Sequence, residues 1–181
     1  MYLRQKIKHC MCCGTAVAYQ QPAGDNRERA VCPACGHVHY ENPLNVVGTV
    51  PVWQDKVLLC RRAIEPRHGK WTLPAGFMEL AETTAEGALR ETLEEAGVQV
   101  QMQPLFAVVN VQRVGQVHLF YRARLLAAEW NPGEETLEAA LFGEADIPWD
   151  ELAFHTVKAC LELFFADRAK GSFGFHELDI G

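Results

Sequence analysis

The sequence predicts an α+β protein in which helices pack on a mixed sheet, preceded by a small metal-stapled module. Three observations carry that prediction. Two C-x-x-C pairs stand near the start, Cys10–Cys13 and Cys32–Cys35. Strand-like and helix-like stretches then follow one another without strict alternation. The 181 residues, 49% of them apolar, suffice for one full domain with a buried core and a small additional piece.

Charge and hydropathy exclude several classes. The net charge of −6 argues against a general nucleic-acid binder, which needs a basic footprint. It leaves room for a phosphate-bearing small molecule, since a bound cation reverses the local field. No apolar run approaches the ~20 residues of a membrane-spanning helix. The opening stretch, MYLRQKIKHC, lacks the apolar core of a secretory signal, so a cytoplasmic setting without membrane contact is expected.

Five of the seven cysteines fall before residue 36. Cytosolic thiols stay reduced, so disulfides are a poor account of them. Cys10-x-x-Cys13-Gly14 and Cys32-Pro33-Ala34-Cys35-Gly36 have the spacing of a zinc ribbon, two thiolates on each knuckle. Cys12 does not fit the spacing, and Cys10 does. Each following glycine lets the chain turn back beneath the metal, and Pro22, Gly24, Asp25 and Asn26 read as a hairpin turn between the knuckles. Four thiolates close the coordination shell, so the Zn²⁺ is structural. A piece of about 35 residues needs its metal to fold. The ribbon is assigned to 1–41 and the larger domain to 42–181. Cys60 and Cys160 sit in apolar runs and read as core residues.

The larger domain opens after the connector Tyr40-Glu41-Asn42-Pro43. Val46–Trp53 and Lys56–Arg62 read as strands joined by a tight turn at Gln54-Asp55. Pro66, His68 and Gly69 mark a loop, and Trp71–Met78 is extended, broken at Pro74 and Gly76. A helix spans 83–96: Thr83-Thr84-Ala85-Glu86 is a capping box, and Gly97 ends it. Ala85, Leu89, Leu93 and Ala96 recur at helical spacing and are the expected buried stripe. Val98–Val111, Gln116–Leu126 and Glu138–Phe142 read as strands. Pro148–Leu152 reads as a short turn or helix, and His155–Ala169 as a longer helix.

The first helix concentrates the chemistry. Glu91, Glu94 and Glu95 stand at i, i+3 and i+4, where like charges repel by a few tenths of a kcal/mol per pair. They also occupy the last turn, the wrong end of a helix dipole for carboxylates. A divalent cation with oxygen ligands makes such a cluster favourable. Arg90 lies four residues after Glu86 and four before Glu94, within reach of a carboxylate. Taken alone, the three glutamates would read as a solvated acidic face.

The surrounding residues decide otherwise. Gly76, Glu82, Arg90-Glu91, Glu94-Glu95 and Gly97-Val98 resemble a Nudix box in spacing throughout, with Thr92 where the pattern usually has an aliphatic residue. The resemblance implies a Nudix fold, an α/β/α sandwich. It implies that Glu91, Glu94 and Glu95, helped by the main-chain carbonyl of Ala75, bind Mg²⁺ or Mn²⁺, and that Glu82 and Arg90 orient them. It also implies a later-loop carboxylate as ligand or base; Glu135 is the first candidate and Glu138 the second.

The whole chain resembles a narrower group, the zinc-ribbon Nudix enzymes similar to plant FAD and ADP-ribose pyrophosphatase. Tyr40–Pro43, Val57–Arg62, Gly69–Gly76 and Lys170-Gly171-Ser172-Phe173-Gly174-Phe175-His176 carry that likeness. It implies hydrolysis of a dinucleotide or nucleotide-sugar of the ADP-X kind, FAD or ADP-ribose, by a homodimer. The zinc-ribbon NADH pyrophosphatases are the rival; they carry an S-Q-P-W-P-F-P signature where this chain has Gln101-Met102-Gln103-Pro104-Leu105-Phe106. A third reading, of another class, is a non-catalytic nucleotide sensor, but such domains tend to lose box carboxylates that are all present here. For substrate contact the candidates are Arg61 or Arg62 on phosphate and Trp71 or Phe77 stacked on a ring, weighed evenly against surface and core roles.

Overall fold

The computed structural model describes residues 6–181. Residues 1–5, where the reading of the N-terminus and the 1–41 module begin, lie outside the described residues. The chain divides into two compact units, Met1–Pro43 and Leu44–Gly181.

The first unit is a three-stranded antiparallel sheet, β1 (Ala18–Gln20), β2 (Arg29–Val31) and β3 (Val38–His39), in that order. The hairpin between β1 and β2 is fixed by Asp25. Its carboxylate accepts the amides of Asn26 and Arg27 and pairs with Arg29 at 3.0 Å. This Asx arrangement replaces backbone pairing that a loop rich in Gly, Asp and Asn would leave open.

The second unit is built on β4 (Leu44–Trp53), buried along most of its length. After a tight turn it pairs with β5 (Lys56–Arg62) only at Val52↔Val57 and Trp53↔Lys56. Beyond that the two strands part, and two short strands fill the split. β6 (Trp71–Thr72) pairs with β5, and β7 (Ala75–Phe77) pairs with Val46–Gly48 of β4. Helix α1 (Thr84–Ala96) follows β7 directly. β8 (Val100–Val111) and β9 (Gln116–Leu125) form the long hairpin, and β9 runs parallel to β4. The β8 register shifts between Met102 and Leu105, around Pro104, which has no N–H for the ladder. β10 (Thr136–Phe142) covers the outer edge of β5, and α2 spans His155–Lys170.

Two readings change here. The closing stretch adds a strand that its short polar alternation did not announce, β11 (His176–Ile180), parallel to β8. The buried face of α1 is also rotated from the expected one. Gly87, Ala88, Thr92, Glu95 and Ala96 are buried, while Leu93 is 53% exposed. Small residues let the helix approach β4 closely, and the face turned inward carries a carboxylate rather than leucines.

On β4, the hydroxyl of Thr49 meets Thr92 of α1, whereas Val50 joins the cluster that α2 closes with Val157, Leu161 and Phe164. Successive strand residues face opposite ways, so the helices cover opposite faces of a mixed sheet. The architecture is the α+β sandwich expected from the sequence. Cys60 and Cys160 are core residues, fully enclosed, with burial pushing both thiols up. Among the described residues no helix is long and apolar enough to cross a membrane.

Candidate active site and cysteine centre

The parting of β4 from β5 brings β7 against α1, and the sequence lines up the chemistry there. Thr83 caps the helix: its hydroxyl accepts from the Glu86 amide, and the Glu86 carboxylate accepts from the Thr83 amide. Gly97 closes the other end in the left-handed conformation. These stops fix which residues stand in the last turn.

Gly76 is required by close approach. A Cβ there would lie 2.4 Å from the carboxyl carbon of Glu91. The glycine therefore makes the seat in which that carboxylate rests. Glu95, 8% exposed, accepts the Ala75 amide at 2.9 Å. What the structure brings to Glu95 from Ala75 is thus its N–H.

Arg90 ties the cluster. It forks onto Glu82 at 3.0 and 2.8 Å, and one guanidinium nitrogen reaches Glu91 at 2.7 Å and Glu94 at 3.2 Å. The other terminal nitrogen donates to the Phe77 carbonyl at 3.2 Å. Glu82 also accepts the Glu79 amide at 2.7 Å, and the Arg90 guanidinium with that amide holds its carboxyl down to about 2. The fork keeps Arg90 itself protonated well above its ordinary range.

The inner carboxyls go the other way. Burial pushes Glu95 up to about 8, with Glu91 and Glu135 adding repulsion against the Ala75 amide and the Arg62 guanidinium. Burial also raises Glu91, opposed by Arg90. Two half-satisfied carboxylates beside each other under the sheet are the chemistry a divalent cation repairs. The donor set, hard oxygens seated by Gly76, fits Mg²⁺ or Mn²⁺. Their oxygens are not gathered as tightly as a bound ion would hold them. Among the described residues, the four cysteines are the one group of three or more such side chains with ligand atoms all within 4.8 Å of each other.

The later loop comes to the same helix. A Cβ on Gly133 would lie 2.2 Å from the Glu94 carbonyl, so the loop rests on the end of α1. Glu135 follows it, exposed, near enough to be felt by Glu91 and Glu95. Glu138 instead pairs with Arg61 at 3.6 Å on the exposed edge. Arg61 also donates to the Gly69 carbonyl. Arg62 donates to the Pro66 carbonyl and lies over the Phe154 ring, with its charge felt at Glu95. Trp71, half-buried beside the core, packs edge-on against Phe142, ring centroids 4.9 Å apart. Phe77 is 47% exposed beside the cluster.

Residue reasoning missed one pair. Thr92 donates to the Ala88 carbonyl at 2.6 Å and accepts from Thr49 at 2.7 Å, both wholly buried. The signal was present, since Thr49 is the one polar side chain in residues 46–51 of β4.

In the first unit, the Sγ atoms of Cys10, Cys13, Cys32 and Cys35 converge. Cys13–Cys32 is 3.4 Å, Cys13–Cys35 3.6 Å and Cys10–Cys35 3.7 Å. These are far from a disulfide bond of about 2 Å. They lie close to the edge of about 3.8 Å expected for a tetrahedron with Zn–S bonds of about 2.3 Å. The Gly14 and Gly36 amides donate back to Cys10 and Cys32, turning each knuckle. Cys12 stands outside the cluster and supplies its amide to Cys10 Sγ at 3.4 Å. The Thr15 hydroxyl and amide hold Cys13 down to about 6, toward the thiolate a metal needs.

Comparison with known proteins agrees with both units. A model described as "Nudix N-terminal", the zinc ribbon, matches residues 8–41, and one described as "NUDIX domain" matches 43–160. A crystal structure of a NUDIX hydrolase from Nitrosomonas europaea is 46% identical, superposes with a TM-score of 0.93, and covers 96% of this chain and 99% of its own. NAD-capped RNA hydrolase NudC of Photobacterium profundum is 28% identical over 138 residues, 75% of this chain and 49% of its own. ADP-ribose pyrophosphatase of Methanocaldococcus jannaschii is 29% identical over 119 residues, 64% of this chain and 69% of its own. The chain thus spans about half the length of the NudC relative.

Proposed function

The chain belongs to the NUDIX domain family, with that family's zinc ribbon ahead of the domain, and we propose that it is a divalent-metal-dependent hydrolase of the pyrophosphate bond in ADP-X compounds. The observation that carries the reading is the seat at Gly76 and Ala75, where the half-buried carboxyl of Glu91 and the buried one of Glu95 lie beside an Arg90 already locked by Glu82. A surface acidic patch would not be buried, nor would a glycine be needed to admit it.

Glu91, Glu94 and Glu95 would hold Mg²⁺ or Mn²⁺. When bound, the cation neutralises charge on the pyrophosphate and makes water a better nucleophile. Glu82 fixes Arg90, and Arg90 fixes Glu91 and Glu94, so the ligands are oriented before substrate arrives. Glu135, on the loop resting against α1, is the proposed acceptor of the proton from the attacking water. The water oxygen forms a bond to one phosphorus, the bridging P–O bond breaks, and two phosphate monoesters leave. Arg62 is the better-placed candidate for substrate phosphate, and Phe77 for a ring. Zn²⁺ on the four cysteines would be structural.

ADP-ribose is the first substrate class, supported by likeness to an ADP-ribose pyrophosphatase; FAD follows, from the likeness of the flanking segments to the plant enzymes. Likeness to NudC supports a second reading, a dinucleotide of the NAD type. Steady-state AMP release from ADP-ribose, FAD and NADH at equal concentrations, with Mg²⁺ or Mn²⁺, orders them. Wild type is expected to cleave at least one, and a Glu94→Gln, Glu95→Gln variant to lose that activity. Wild type and variant equally inert on all three would leave nucleotide sensing as the better account.

A further inference from the structure

A cavity of about 600 Å³ opens on the opposite face of the sheet, between β9, the end of α2 and the segment after it. Its size is in the range of small-molecule sites. Three arginines line it, Arg122, Arg124 and Arg168, and no carboxylate does, in a chain whose net charge is −6. Two of them point along β9, on the face that carries Phe120 and α2.

The arginines are poorly neutralised. Arg124 is held by the neutral Gln101, at 3.2 and 2.7 Å. Arg122 lies 4.0 Å over the Phe173 ring, and the acid whose charge it feels, Asp167, is committed elsewhere. Asp167 accepts from the Gly174 amide at 2.9 Å, from His176 at 2.7 Å, and faces Lys170 at 3.7 Å. Arg168 donates to the Asp55 carbonyl and is 3.7 Å from exposed Glu144. The Asp167 contacts also explain the Lys170–His176 segment: they fold it back so that Phe173 packs beside Phe164, rings 5.3 Å apart.

We propose that this cavity is a second ligand site, for a nucleoside monophosphate, separate from the carboxylate cluster. The guanidiniums supply the phosphate contacts, as charge-assisted hydrogen bonds. Half-buried Trp53 and Phe173, which is 36% exposed, both line the cavity and supply an apolar surface for the base, which inorganic phosphate could not use. The space is also larger than a bare phosphate requires.

The test is calorimetric titration of the zinc-loaded chain with AMP, with no Mg²⁺ or Mn²⁺ present, beside adenosine and inorganic phosphate as separate probes. AMP is expected to bind at least tenfold tighter than either fragment. An Arg122→Gln, Arg124→Gln variant is expected to lose at least tenfold in AMP affinity, while Glu94→Gln, Glu95→Gln stays within twofold of wild type. Unchanged AMP affinity in the arginine variant overturns the proposal, as does its loss in the glutamate variant or equal binding of phosphate alone. Should the double variant fail to fold, Gln103→Glu sets a carboxylate in the lining. It is expected to weaken AMP tenfold, and an unchanged affinity would overturn the proposal. The reading does not depend on hydrolysis, so an inert enzyme and an empty cavity are distinguishable results.

Discussion

Thr92 shows how a single departure from a family pattern is accommodated. Its hydroxyl is buried, satisfied by Ala88 and Thr49, and Thr49 is in turn satisfied by it. Thr92→Val should therefore orphan the Thr49 hydroxyl and cost about 1–3 kcal/mol. Thr49→Val, Thr92→Val removes both partners and should restore most of that loss. Urea denaturation of the three proteins checks it, and additive losses would defeat the account. Glu95 gives a prediction in pH. Its folded pKa, about 8, lies above the ordinary carboxylate value, so the folded state holds the extra proton. Without divalent metal, stability should fall as pH rises from about 4.5 to about 8 and then level off, by on the order of a few kcal/mol. Glu95→Gln should flatten that slope, and thermal melts across pH with and without Mg²⁺ would read it. The box glutamates and Arg90 were legible because their spacing is fixed. The packing of Trp71 on Phe142 was not, because nothing near Trp71 in the chain announces a partner so distant in sequence.

At the scale of elements, α1 was legible in its ends and misleading in its faces. Its capping box and Gly97 were plain in the sequence. Apolar periodicity pointed to Leu89 and Leu93, yet the helix turns Gly87, Ala88 and Glu95 inward. A site can override the hydrophobic pattern where its geometry needs a carboxylate under the sheet. The cap itself should matter by the usual amount, with Thr83→Ala costing about 1 kcal/mol. Gly76→Ala is the sharper probe. Its Cβ would enter the Glu91 carboxylate, and a displacement of this order should lower kcat/KM by about 100-fold, with the melting temperature far less affected. An active Gly76→Ala variant would mean that Glu91 works from another position. β11 was illegible for a different reason: five residues alternating in polarity carry little signal, and its partner β8 lies far away in sequence.

Across the molecule, the two units rest on different physics. The first has three short strands and four converging thiols, so its stability should follow its metal. Cys32→Ser is expected to lower zinc content and abolish the folded ribbon, with the transition of the second unit, which has its own core, still visible by calorimetry. Unchanged zinc content would refute the cysteine centre. The zinc ribbon was legible because cysteine spacing is local; the order of the large sheet was not, because it depends on partners distant in sequence. Those distances bear on synthesis. The ribbon's strands pair within a short stretch, so it can close on metal as soon as Cys35 is free of the ribosome. β4 gains β5 and β7 on one edge early, but its other edge must wait, since Leu44 takes Gln116 as its neighbour. A largely buried strand thus spends part of translation with one edge unpaired. During that interval it is the segment most open to chaperones and to aggregation.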